Sequence, residues 1–285
     1  MRLPVSMILV GLLVSTAASA QEAPADWDLL VDPAKKLTMA YTDFNNGLSL
    51  AVRCVDGGYE AIIAGLPPAA DLDRRPLTIQ FGDDQPAPTQ WNVAMDPAIA
   101  VSERPAPFAR DLREGGRLQI VAPGAAEGGR NLRYVLDLPV SGASIDRTLE
   151  ACDKPLVDPR DAELAALGDT GLPGGVNWAS LPRPSFPSPA VYQAGFAVIS
   201  CLTEPDGRLR ACEVETEHPR DGGFGAAALR ATRRARLEDS NAPGAALPLR
   251  RILYRTQFRL ETESESLVPP SRLRRNLPPS LSRRE

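Results

Sequence analysis

FAVISCLTEPDGRLRACEV, residues 196–214, places two apolar runs on either side of Pro205-Asp206-Gly207, with Cys201 before the turn and Cys212 after it. Alternation with a period of two marks half-buried strands, and a Pro-Asp-Gly cluster between two such runs marks a hairpin. Ile199, Cys201 and Thr203 share one face of the first strand, while Cys212 and Val214 share a face of the second. A four-residue loop from Pro205 to Arg208 sets Cys201 opposite Cys212 at a non-hydrogen-bonded position, where side chains approach most closely. A three-residue loop with a glycine bulge shifts that register by one. Both registers stay open at this level.

The chain begins MRLPVSMILVGLLVSTAASAQ: Arg2, an apolar run from Val5 to Val14, then Ala18-Ser19-Ala20. This is the pattern of an export signal over residues 1–20, cut after Ala20. The apolar run is about half of the roughly 20 residues that span a bilayer, so no stable span is expected after cleavage. A retained anchor is the alternative. All four cysteines, Cys54, Cys152, Cys201 and Cys212, lie beyond the cut. An even number in an oxidising compartment favours disulfides, and the spacings fit neither a redox C-x-x-C nor a zinc cluster. The expectation is two structural bridges, Cys54–Cys152 and Cys201–Cys212, with no metal and no cofactor.

Net charge is −4 and the pI about 5.3, which argues against nucleic acid as a partner. The single histidine, His218, sits in the loop-like TEHPRDGG and reads as a solvated residue. A hydrolase built on His218 with Ser200 or Asp221 would need a nucleophile elbow or a buried acid, and neither pattern occurs. DGGFG (221–225) enters a helix without the Gly-Lys-Ser/Thr of a phosphate loop. The expected class is non-enzymatic.

Short alternating runs at 48–54, 59–66, 76–82, 91–95, 98–102, 117–123 and 131–139, with short helices near 107–115, 144–152 and 158–168, predict a β-rich, sandwich-like domain over 21–167. Residues 168–188 carry four prolines and read as a linker. Beyond them, 189–262 predicts β-β-α-β: the cysteine hairpin, the helix FGAAALRATRRARLE, and the strand RRILYRTQFRL. In that last strand Ile252, Tyr254, Thr256, Phe258 and Leu260 point one way, while Arg251, Arg255, Gln257 and Arg259 point to a solvated face. The fold class is α+β with a three-stranded antiparallel sheet and one main helix in the second domain. Residues 263–285 predict a disordered tail.

Over about residues 182–262 the second domain resembles the C-terminal domain of TonB-family energy transducers. The likeness rests on PAVYQAGFAVISC, TEPDGRLRACEVETEHP, GFGAAALRATRRARLE and RRILYRTQFRLE in that order. It implies the β-β-α-β fold and a role in protein contact at the cell envelope. With residues 1–20 read as a cleaved signal, no counterpart of the family's uncleaved N-terminal helix and long rod is expected, and the helix ends Arg234-Ala235-Arg236-Leu237-Glu238 instead of in an aromatic-rich pattern. More loosely, NNGLSLAVRC, LTIQFGDDQPAPTQWNVAMD and a late helix ending in Cys152 are similar to small periplasmic proteins associated with type VI secretion. The resulting expectation is a periplasmic adaptor that contacts an envelope protein or peptide, by strand addition at the last strand. A true energy transducer serving outer-membrane transport is the alternative. Arg251, Arg255 and Arg259, with Arg230, Arg233 and Arg234 on the helix, form the candidate contact surface for an acidic partner.

Overall fold

The computed structural model describes residues 26–69, 73–168 and 170–260. The export signal (1–20) and the tail (263–285) lie outside the described residues. Nine strands form the first unit: β1 (Asp28–Asp32), β2 (Leu37–Asp43), β3 (Ser49–Val55), β4 (Gly58–Ala64), β5 (Arg74–Phe81), β6 (Ala87–Val93), β7 (Ala100–Ser102), β8 (Gly116–Ala126) and β9 (Arg130–Leu138). They run antiparallel in the order β1-β2-β3-β4-β7-β6-β5-β8-β9. The result is one curled sheet, a half-barrel, in place of two facing layers.

Two helices, α1 (Pro105–Arg113) and α2 (Ala143–Ala151), fill the curl. The period-two pattern dictates this. Leu50, Val52 and Cys54 of β3 are buried, while the residues between them face the other side. On α2, Ile145, Thr148 and Leu149 form the buried stripe, and Thr148 Oγ1 lies 2.7 Å from the Tyr59 hydroxyl. The helix ends at Cys152, which is bonded to Cys54 on β3.

A short helix, α3 (Arg160–Ala165), leads to the second unit: β10 (Val176–Ser180), β11 (Ala194–Thr203), β12 (Leu209–His218), α4 (Phe224–Thr232), β13 (Arg236–Asp239) and β14 (Arg251–Arg259). Its sheet has the order β12-β11-β14, with α4 against one face. That core comprises Ala197, Ile199, Cys201, Phe224, Ala227, Ala228, Ile252, Tyr254 and Phe258.

The hairpin combines the two registers left open by sequence. At the tip Glu204 N donates to the Arg208 carbonyl, so the loop has three residues. Ala211 then bulges out with φ +46°, and Ser200 faces Glu213. The bulge restores the register that sets Cys201 against Cys212, with Cα atoms 4.1 Å apart in the disulfide. Gly207 closes the turn at φ +78°, where a Cβ would meet the Leu237 carbonyl at 2.1 Å.

Three expectations need correction. The linker is not empty of structure: β10 pairs with β13, Trp178 meets Tyr254 edge-on, and Phe186 packs on Phe224 and Phe258. Its aromatic residues have apolar surface to cover, which outweighs the Pro/Gly composition. The predicted helix stops at Thr232 because Ala235 and Leu237 are both buried two positions apart, a strand spacing. The third correction concerns the arginine face of β14, which docks on the first unit through Arg251 and Arg255 and leaves only its end, Gln257 and Arg259, exposed. There Phe196, Val198 and Leu253 join Val101 and Leu164 in a separate small core, with Ile62 and Ile99 at its rim.

Both bridges close loops whose length sets their worth. Replacing Cys54 and Cys152 by Ala should cost roughly 4–5 kcal/mol, and the pair Cys201 and Cys212 roughly 3 kcal/mol, on chain-entropy grounds. Equilibrium denaturation of the two double variants checks the order; equal losses would contradict it.

Candidate functional site

The arginines expected to form one contact surface divide into two groups. Arg230, Arg233 and Arg234 are exposed on and just beyond α4. Arg251 donates to Glu163 at 2.9 Å, Arg255 is bonded to the buried Glu103, and Arg259 donates to Asp73 at 2.7 Å. The acidic partner of that strand is thus the first unit of the same chain. Part of the β14 edge is occupied as well, because Leu253 N donates to the Gly171 carbonyl at 2.7 Å.

His218 is not a solvated loop residue. It ends β12, stacks on Phe196, and its Nδ1 lies 2.9 Å from Glu60 Oε1. Glu60 is fully buried and also pairs with Arg53 at 2.7 Å. Burial opposes ionisation of Glu60, but the contacts from His218 and Arg53 outweigh it and hold the carboxyl below its usual value. Ser200 donates to Glu215, which is held near Arg160, so Ser200 and His218 serve different partners.

Beside the junction, α1, the β5–β6 hairpin and α3 enclose a cleft of about 800 Å³. Pro107, Phe108 and Asp111 line it from α1, and Arg104 from the position just before the helix. Their spacing of i, i+3, i+4 and i+7 is a single helical stripe, about 10 Å from end to end. Phe108 is set 5.8 Å from Phe81 and 5.0 Å from Trp91, forming an aromatic wall. Arg255 reaches the same cleft from β14, so both units contribute to it.

Its charged groups differ in how far they are satisfied. Asp161 takes a bidentate contact from Arg110, at 2.5 and 2.7 Å. Glu103 is shared by Arg255 and Arg74. Arg104 Nη1 donates to the Leu164 carbonyl at 2.6 Å. Among the described residues, the Asp84 and Asp111 carboxylates make no hydrogen bond or ion pair. Asp111 opens onto the cleft; the protein crowded around it, and then the Asp161 charge, push its pKa up to about 6. Among the described residues, no three His, Cys, Asp or Glu side chains are grouped to hold a metal ion.

Sequence reasoning passed over this cleft, although the stripe at 104, 107, 108 and 111 is visible at helical spacing. The other walls come from distant segments and carry no motif.

No family model matches the chain, and no curated protein is similar to it. Among solved structures, invasion associated protein B from Bartonella henselae is similar over 48% of this chain and 100% of its own, at 16% identity and a TM-score of 0.34. A likeness of that degree carries no argument about fold or function.

Two tests follow from this geometry. In a double-mutant cycle, the buried Glu103–Arg255 pair should show a coupling of about 2 kcal/mol, whereas Asp73–Arg259, exposed on both sides, should fall below about 1 kcal/mol. Asp111 is protonated more readily in the folded chain than in the unfolded one. Its contribution to stability is therefore complete below pH 3.8 and is lost as pH rises through about 6. Because the Asp111 carboxylate is exposed to the cleft, solvent screens much of this, and Asp111→Asn should raise the melting temperature only slightly at pH 7.5 and leave it unchanged near pH 3; a lower value at pH 7.5 would contradict the raised pKa.

Proposed function

We propose that the protein is a non-enzymatic adaptor of the periplasm that receives a segment of another envelope protein or peptide. The observation that carries this reading is the cleft at the junction, which is long enough for several residues of extended chain and is walled by both units. Two disulfides suit an oxidising compartment. Among the described residues, no helix is long and apolar enough to cross a membrane. The TonB-like character of the second unit rests on its sequence alone. In this reading the basic strand β14 serves the internal junction, and the partner is met at the cleft.

A photo-reactive residue replacing Gln85, at the cleft rim, should give a discrete cross-linked protein in intact cells. Ala226, on the outer face of α4, provides the control position. Filling the cleft by Ala165→Trp should abolish the cross-link from Gln85. A product formed equally from both positions, or one insensitive to Ala165→Trp, overturns the cleft as the contact site.

A further inference from the structure

The cleft has a chemical bias. We infer that it selects a Lys or Arg side chain flanked by an apolar residue, the cation meeting Asp111 and Asp84 while its neighbour rests on the aromatic wall. This rests on the reading of the cleft as a polypeptide site and adds its specificity.

The argument starts from the charges left over. Asp161 and Glu103 are committed to arginines of the fold, and Arg255 is committed to Glu103. What faces an incoming chain is Asp84, on the hairpin side, and Asp111, on the α1 side. Both line the same cleft, where Asp111 also feels the more strongly acting charges of Asp161, Arg110 and Arg104. A cation between the two carboxylates is attracted by both, whereas an anion would be repelled.

Arg104 is the competing cation. It is the N-terminal end of the α1 stripe, two helical turns and about 10 Å from Asp111. It is drawn away to the Leu164 carbonyl, so the cleft is polarised lengthwise, with a basic end and an acidic end. Phe108 and Phe81 occupy the stretch between, at 5.8 Å. A basic residue beside a Leu, Ile or Val matches this sequence of surfaces. The aliphatic stem of a Lys or Arg can cover apolar wall while its head stays at the acidic end. A bare metal ion is a poor match, because the carboxylates are spread across two walls.

The test uses the full-length chain with its disulfides intact and three N-acetylated tripeptide amides, Leu-Lys-Leu, Leu-norleucine-Leu and Leu-Glu-Leu, followed by nuclear magnetic resonance titration. Leu-Lys-Leu should bind about tenfold more tightly than the norleucine peptide, and Leu-Glu-Leu weakest of the three. Replacing both carboxylates, Asp84→Asn with Asp111→Asn, should remove that preference. Lowering the pH through 6 should act on the wild type in the same direction and leave the variant unaffected. Equal binding of the Lys and norleucine peptides, or a preference that survives in the double variant, overturns the specificity and leaves the polypeptide cleft standing. Failure of all three peptides to shift cleft resonances overturns both.

Discussion

Glu60 and Glu103 belong to the first unit, and the second unit is what buries them. A carboxylate removed from water loses several kcal/mol of solvation unless charges and hydrogen bonds replace it. Each has one basic partner in its own unit, Arg53 or Arg74, and one brought from the other, His218 or Arg255. The docking of the two units has to satisfy both at once. The apolar patch between them is small, centred on Val101, Leu164, Phe196, Val198 and Leu253. Hydrophobic burial therefore supplies adhesion, and the paired charges set the alignment.

From that alignment the three-stranded sheet lies between α4 on one face and the first unit on the other. The middle strand of the second sheet, β11, is buried on both sides. Ile199 and Cys201 face α4, while Val198 and Ser200 face the first unit and its polar frame. A strand in that position needs apolar or satisfied side chains throughout. AGFAVISCLT meets the requirement, with Ser200 donating to Glu215. The cleft forms where α1, α3 and the β5–β6 hairpin meet Arg255 of β14.

Much of the fold was legible because it is local. Strands β3 to β9 follow period-two alternation, and both disulfides follow from compartment and hairpin geometry. The face of β14 was misjudged because an arginine row reads as solvent-facing until its partners are known, and Asp73 lies 186 positions from Arg259. A clue existed in β11, whose two faces are both apolar, a sign of burial on each side. β10 was hidden by composition: Val176–Ser180 is five residues long in a Pro/Gly-rich stretch, and only contact with Arg236–Asp239 makes it a strand. The cleft was the least legible feature. It is a product of tertiary placement, and only its α1 stripe had a sequence period.

The two-sided burial of the small sheet also bears on how the protein can be dissected. Expressing residues 189–262 alone would uncover Phe196, Val198 and Leu253 and release Arg251 and Arg255 from their carboxylates. Such a fragment would have a sticky, cationic flank that the intact chain conceals. Ligands fished out with it would report on the cut surface, and self-association would be its natural behaviour. The smallest faithful unit of this protein includes both sheets.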